Sequence, residues 1–208
     1  MIHVEKFNYQ DLDDLYANSY VVSDSYNNCV IIDPSVDNDG VLNYINKHGL
    51  TVKAILLTHG HFDHIRGVDR FSDVPLYIHN LDEAMLYDPY LNGSEMLAKE
   101  ITVEHKCENI KDNDIINLLE DQIQVIHTPF HTKGSVCYYF INNKLLFSGD
   151  TLFRGSIGRD DLPNAIPSKT KESLDKLKKL PIETKIYPGH GNNSTLEFEL
   201  NYNYFLTR

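Results

Sequence analysis

Short apolar runs, each closed by polar or turn-forming residues, recur along the chain. Asn18 to Ser23 and Asn28 to Ile32 are two such runs, and Asp24 to Asn27 between them supplies turn residues, so this segment predicts a β-hairpin. Val52 to Leu57, Val74 to His79, Ile123 to His127, Val136 to Ile141 and Lys144 to Ser148 read as further buried strands, with Asn142 and Asn143 as a tight turn. Thr184 to Gly191 is another strand running into a turn. Helical spacing appears from a cap at Asp37 through Lys47, closed by Gly49. It appears again from about Gly67, over Leu81 to Leu91, over Ser168 to Leu180 and over Leu196 to Phe205. Residues 92–112 are polar and mixed and give no clear element. Strands, helix, strands and helix again predict an α/β fold of two sheets face to face with helices outside. No linker or usable internal repeat interrupts it, so residues 1–208 read as one domain.

The polar residues closing these runs are metal-ligand types. Strand Val52 to Leu57 ends in Thr58-His59-Gly60-His61-Phe62-Asp63-His64, three imidazoles and a carboxylate within six residues. A helix would scatter them around its axis, whereas a tight loop at a strand end converges them. Gly60 permits the sharp turn. Three further runs end in His131, Asp150 and His190. The C-terminal ends of strands are where layered α/β folds gather a site. The total is five histidines (His59, His61, His64, His131, His190) and two aspartates (Asp63, Asp150). One tetrahedral zinc cannot use seven ligands, whereas two cations sharing a carboxylate can. Imidazole nitrogen and carboxylate oxygen suit zinc, iron and manganese alike, and zinc is the first choice for so nitrogen-rich a set.

This ordered set resembles the metallo-β-lactamase superfamily: His59-Gly60-His61-Phe62-Asp63-His64, then Thr128-Pro129-Phe130-His131-Thr132, then Ser148-Gly149-Asp150-Thr151-Leu152-Phe153, then Pro188-Gly189-His190-Gly191. The likeness begins at Ile31-Ile32-Asp33-Pro34. Gly158-Arg159-Asp160-Asp161-Leu162-Pro163 gives it the flavour of the glyoxalase II (hydroxyacylglutathione hydrolase) branch in a short form. The resemblance implies a four-layer αβ/βα sandwich, the metallo-β-lactamase fold. It implies one divalent ion on His59, His61 and His131, a second on Asp63, His64 and His190, and Asp150 bridging both, with a bridging hydroxide as nucleophile. Two cations lower the pKa of bound water toward neutrality, polarise a carbonyl and hold the oxyanion that forms. Asp63 is left to orient the nucleophile or take its proton. The implied activity is hydrolysis of an acyl thioester. Persulfide dioxygenases, with a single iron, and lactone or phosphodiester hydrolases are the alternatives on the same scaffold.

Composition narrows the setting. At 208 residues and 41% hydrophobic content the chain can bury one substantial core. A formal net charge of −11 argues against nucleic acid as partner, because phosphate binding needs a basic face. The basic stretch Lys169 to Lys179 reads as the solvated face of a helix with Leu174, Leu177 and Leu180 turned inward. No apolar run approaches the roughly 20 residues that span a bilayer, and Met1 to Lys6 lacks the pattern of a signal peptide, so a cytoplasmic location without membrane attachment is expected. Cys29, Cys107 and Cys137 are odd in number, without Cys-x-x-Cys spacing, and read as free thiols.

Other residues carry narrower expectations. Asp33 should accept hydrogen bonds from the backbone of the metal loop. His127 should point away from the metals as a satisfied structural histidine, and His3, His48, His79 and His105 read as isolated. Gly134 should supply a positive φ. Arg154 and Arg159, on the loop after Asp150, suit a substrate carboxylate, with a salt bridge to Asp160 or Asp161 as the alternative for Arg159. The resemblance places a basic residue matching Arg159 against the glutathione moiety. Two departures from the family pattern stand out. Phe130 replaces the usual glycine, so the turn before His131 takes another conformation or carries strain, or Phe130 walls the pocket. Only Asn192 to Arg208 follow the last motif, in place of the helical domain that grips glutathione, which points to a smaller or different thioester.

Overall fold

The computed structural model describes residues 1–8, 16–36 and 38–207. The first sheet is built from β1 (His3–Phe7), β2 (Ser19–Ser23), β3 (Asn28–Ile32), β4 (Thr51–Leu56), β5 (Leu76–His79) and β6 (Cys107–Ile110), in that spatial order. The hairpin pair β2 and β3 is antiparallel, and β3 to β6 run parallel. The second sheet has the order β12-β11-β10-β9-β8-β7, from β7 (Ile115–Ile116), β8 (Ile123–His127), β9 (Val136–Phe140), β10 (Leu145–Gly149), β11 (Lys185–Pro188) and β12 (Ser194–Thr195). Its single parallel pair is β10 with β11.

Alternation along each strand sorts the core into layers. Tyr20, Val22, Val30, Ile32, Ala54 and Leu56 face Ile123, Val125, Tyr138, Phe140 and Phe147 between the sheets. Val21, Ile31, Ile55 and Leu57 point the other way, onto Val41 and Ile45 of helix α1 (Gly40–His48) and onto Ile65 of helix α2 (Phe62–Ile65). Behind the second sheet, Tyr139, Leu146 and Ile186 pack on Leu174 and Leu177, further along the chain in a helix at Thr170–Leu177, and on Leu196. The result is helix, sheet, sheet, helix: the four-layer αβ/βα sandwich. Among the described residues no helix is long and apolar enough to cross a membrane.

Local chemistry corrects several expectations. The stretch Leu81 to Leu91 is not one helix but a 3₁₀ turn, Glu83–Leu86, followed by α3 (Pro89–Asn92). Pro89 cannot continue a preceding helix, and Asp88 caps a new one by accepting the N–H groups of Tyr90 and Leu91. The helix expected from Gly67 is the 3₁₀ turn Val68–Phe71, with α2 before it starting inside the ligand motif. The expected cap Asp37 lies outside the described residues; Asp39 precedes α1 and makes no side-chain cap. Helix α4 is the Thr170–Leu177 element already met, and α5 (Leu196–Tyr202) is capped by Thr195, whose Oγ1 accepts the N–H of Phe198. Strands β1, β6, β7 and β12 carry no recognisable signal in the chain. All four lie at sheet edges or next to one, or are two residues long, so little apolar patterning marks them.

Candidate metal centre

Four strand ends from two sheets meet at one place. The loop after β4 brings His59, His61, Asp63 and His64; the turn after β8 brings His131; Asp150 follows β10 and His190 follows β11. One ligand atom from each of His59, His61 and His131 lies within 4.8 Å of the others, and the same holds for Asp63, His64 and His190 and for His59, His64 and Asp150. Asp150 stands between the first two groups. Its Oδ2 is 3.5 Å from Nε2 of both His131 and His190, and its Oδ1 is 3.3 Å from His64 Nε2. Asp63 Oδ2 is 3.1 Å from His190 Nε2.

Two of the imidazoles are aimed by their outer nitrogens. His64 Nδ1 lies 2.9 Å from Asp33 Oδ2, which fixes the ring with Nε2 pointing inward. His131 donates from Nδ1 to the carbonyl of Arg159 at 2.7 Å. Asp33 also accepts the N–H of Thr58 at 2.8 Å and its hydroxyl at 2.6 Å, so it holds the start of the loop as the sequence suggested. It does so from a φ of 49°, a strained conformation for a residue with a side chain.

The polar atoms left over face inward. His59 Nε2, His64 Nε2 and Asp150 Oδ1 are buried without a hydrogen-bond partner among the described residues. Unpartnered buried polar groups are costly, and three of ligand type converging on one space fit a cation there. Electrostatics point the same way. Burial, then the neighbouring histidines, hold His59 well below the ordinary histidine range, and burial together with His131 lowers His61 to about 3, so both offer neutral lone pairs. Burial opposes charge on His64 and His190, but Asp63, Asp33 and Asp150 outweigh it at His64, and Asp150 and Asp63 at His190, and raise both: the recess is negative and favours a positive charge. Burial likewise opposes ionisation of Asp63 and Asp150, yet the imidazoles beside them keep both carboxyls low. The residues present thus fit two divalent ions.

The remaining candidates separate from this centre. Arg159 forks onto Asp161, with Nε 2.8 Å from Oδ1 and Nη2 3.1 Å from Oδ2, on an exposed loop; its carbonyl, not its guanidinium, touches the site through His131. Arg154 lies over the ring of Phe198 at 4.4 Å. Phe130 is fully buried and has no positive φ, so its turn avoids the glycine conformation and its ring presents no open face to a pocket. Gly134 has no positive φ either. It is required because a Cβ there would stand 2.7 Å from Asp82 Cγ. His127 donates to the carbonyl of Lys133 and stacks on His79 at 4.0 Å, so His79 is not isolated.

Two residues with no signal in the chain belong to the surroundings. Asp82 is fully buried against the loops of His61 and His131. Arg66 follows α2, three residues after Asp63, with its guanidinium 4.6 Å from the Tyr16 ring and 5.0 Å from the Phe62 ring. Its Nε has no acceptor among the described residues, and it lines a groove of about 910 Å³ with Leu42, Leu97 and Lys99.

Known proteins share this fold. The family model of the metallo-β-lactamase superfamily matches residues 12–190. A probable metallo-hydrolase of Bacillus subtilis, YqgX, is 38% identical over 92% of this chain and 93% of its own length. A hydroxyacylglutathione hydrolase of Photobacterium profundum is 34% identical over 87% of this chain and 64% of its own length. Among solved structures, the B3 metallo-β-lactamase BLEG-1 superposes with a TM-score of 0.91 at 35% identity, covering 99% of this chain and 100% of that one. TTHA1623 in a di-iron-bound form superposes with a TM-score of 0.80 at 34% identity, covering 98% and 100%. With its sandwich fold and this clustered ligand set, the chain belongs to the metallo-β-lactamase superfamily.

Proposed function

We propose that this metallo-hydrolase fold carries a dinuclear thioesterase. His59, His61 and His131 would hold a first ion, Asp63, His64 and His190 a second, and Asp150 would serve both. The observation that carries the reading is the inward convergence of His59 Nε2, His64 Nε2 and Asp150 Oδ1, buried and unpartnered. Two cations there supply an ionised water at neutral pH and a Lewis acid for the carbonyl. Asp63, 3.1 Å from His190, is placed where it would orient such a water and accept its proton. Apart from Asp63, the groups of the cluster would be taken up as ligands, so no separate acid stands ready for a leaving group. A thiolate leaves without one, far more readily than an alkoxide or amide anion. Likeness to the hydroxyacylglutathione hydrolase supports this substrate class.

The thiol half of the substrate carries an anion. Arg66 suits it, being a cation beside the ligand helix with no carboxylate partner among the described residues, whereas Arg159 must first leave Asp161. Zinc is the proposed native metal for the nitrogen-rich set, and the di-iron form of TTHA1623 makes iron the competitor. Likeness to BLEG-1 supports β-lactam cleavage as the second reading. Purified protein loaded with zinc, or with iron, and offered thioester, β-lactam, lactone and phosphodiester substrates separates these. Thiol release well above the other rates is expected. Turnover confined to β-lactam would install the second reading, and no turnover of any would overturn both.

A further inference from the structure

Asp82 lies outside every ligand motif, yet it touches the loops of all three groups proposed for the first ion. Its Oδ1 accepts the N–H of Gly134 at 2.7 Å and the side-chain amide of Asn164 at 3.2 Å, and its Oδ2 accepts the hydroxyl of Thr132 at 2.5 Å. Gly60 packs against the same segment, where a Cβ would stand 3.2 Å from the Asp82 carbonyl oxygen. Gly60 separates His59 from His61, and Thr132 follows His131. The chain around Asp82 also fits tightly between these loops. A Cβ on Gly60 would stand 2.5 Å from Met85 Cβ, and one on Gly134 would stand 2.7 Å from Asp82 Cγ. Asn164 reaches Met85 Sδ at 3.1 Å as well. The second group is held otherwise: Asp33, after β3, fixes His64 Nδ1 and Thr58. Two buried aspartates, each from a strand end of the first sheet, thus divide the work.

We propose that Asp82 is a positioning residue for the first ion alone, locking the loops of His59, His61 and His131 in register, while Asp33 serves the second. The proposal rests on the two-ion reading. Its effect follows from geometry. A carboxylate accepting from Thr132 and Gly134, on a segment packed against Gly60, joins a loop of the first half to a turn of the second, so the distance from His61 to His131 depends on it. Outer-shell partners of this kind cost about 10–100-fold in metal affinity when removed.

The test is zinc titration of chelator-stripped protein, followed calorimetrically, with anomalous diffraction at the zinc edge to place each ion. Wild-type protein is expected to take two zinc ions per chain. Asp82→Ala should keep one on Asp63, His64 and His190 and bind the other about 10–100-fold more weakly. Asp82→Asn, which retains acceptor and shape, should recover most of that loss. Asn164→Ala, which spares the carboxylate, should weaken the first ion by a few-fold and serves if Asp82→Ala does not fold. Asp33→Ala should show the converse pattern. Equal weakening of both ions in the Asp82 and Asn164 variants, or two ions bound as in wild type, would overturn the proposal. Wild-type protein that takes up no zinc or iron would overturn the two-ion reading itself, and the proposal with it.

Discussion

Asp33 and His64 sit 2.9 Å apart, both fully buried, and the carboxylate sets which imidazole nitrogen faces the other ligand-type groups. Asp33→Ala frees the ring to rotate and strands the N–H of Thr58. Loss of this partner is expected to cost about 10–100-fold in affinity for the second ion and to lower thermal stability, read by metal titration and calorimetry.

His59→Ala and Asp150→Ala remove a terminal and the shared ligand. Each should reduce hydrolysis to background and weaken metal retention after dialysis. Normal turnover in either variant would remove that residue from the assignment.

On the proposed reading, Arg66 and Arg159 are the two candidates to hold an anionic end of the substrate. Arg66→Ala should raise KM for an anionic thioester roughly tenfold with kcat little changed, the loss of one charge-assisted contact, and leave a neutral thioester unaffected. Arg159→Ala, already paired with Asp161, should change KM by less than about twofold. The opposite ranking would move the binding role to Arg159.

Phe130 is a core residue where a pocket wall was one of the expectations. Phe130→Ala should destabilise the fold by about 3–5 kcal/mol through the cavity it leaves. A denaturant midpoint unchanged by the substitution would contradict this.

The stacked pair His79 and His127 gives acid sensitivity at the sheet ends. Burial, and then His127, lower His79 from 6.5 to about 4. The folded state therefore favours the neutral ring. Stability from this group is complete above pH 6.5 and is lost as pH falls from 6.5 to about 4, where the folded protein also protonates. His79→Gln should flatten the stability profile across that window and leave the profile above pH 7 parallel to wild type.

The clustering of these histidines and aspartates was legible because strand ends concentrate them: four apolar runs each stop at a residue of ligand type, and the loop after β4 packs four together. The layered fold followed from the same runs, since burial on both faces leaves them apolar throughout. Short elements were less legible. Leu81 to Leu91 has helical spacing, and Pro89 with Asp88 overrides it. β6 has two exposed positions in its four residues and lies in a polar stretch. Asp82 gave no sign at all, because its partners are backbone groups and side chains 50 or more residues away, brought to it by tertiary packing. Gly134 was misread for the same reason: the need is space for Asp82, not a positive φ. Arg159 was read by its side chain, while its carbonyl makes the contact.

Metal content per chain, measured together with anomalous diffraction on the purified protein, tests the centre most directly. Two ions are expected, one among His59, His61 and His131 and one among Asp63, His64 and His190, with Asp150 reaching both. A protein that binds no ion there when supplied with zinc, iron or manganese, or binds one elsewhere, would contradict the account.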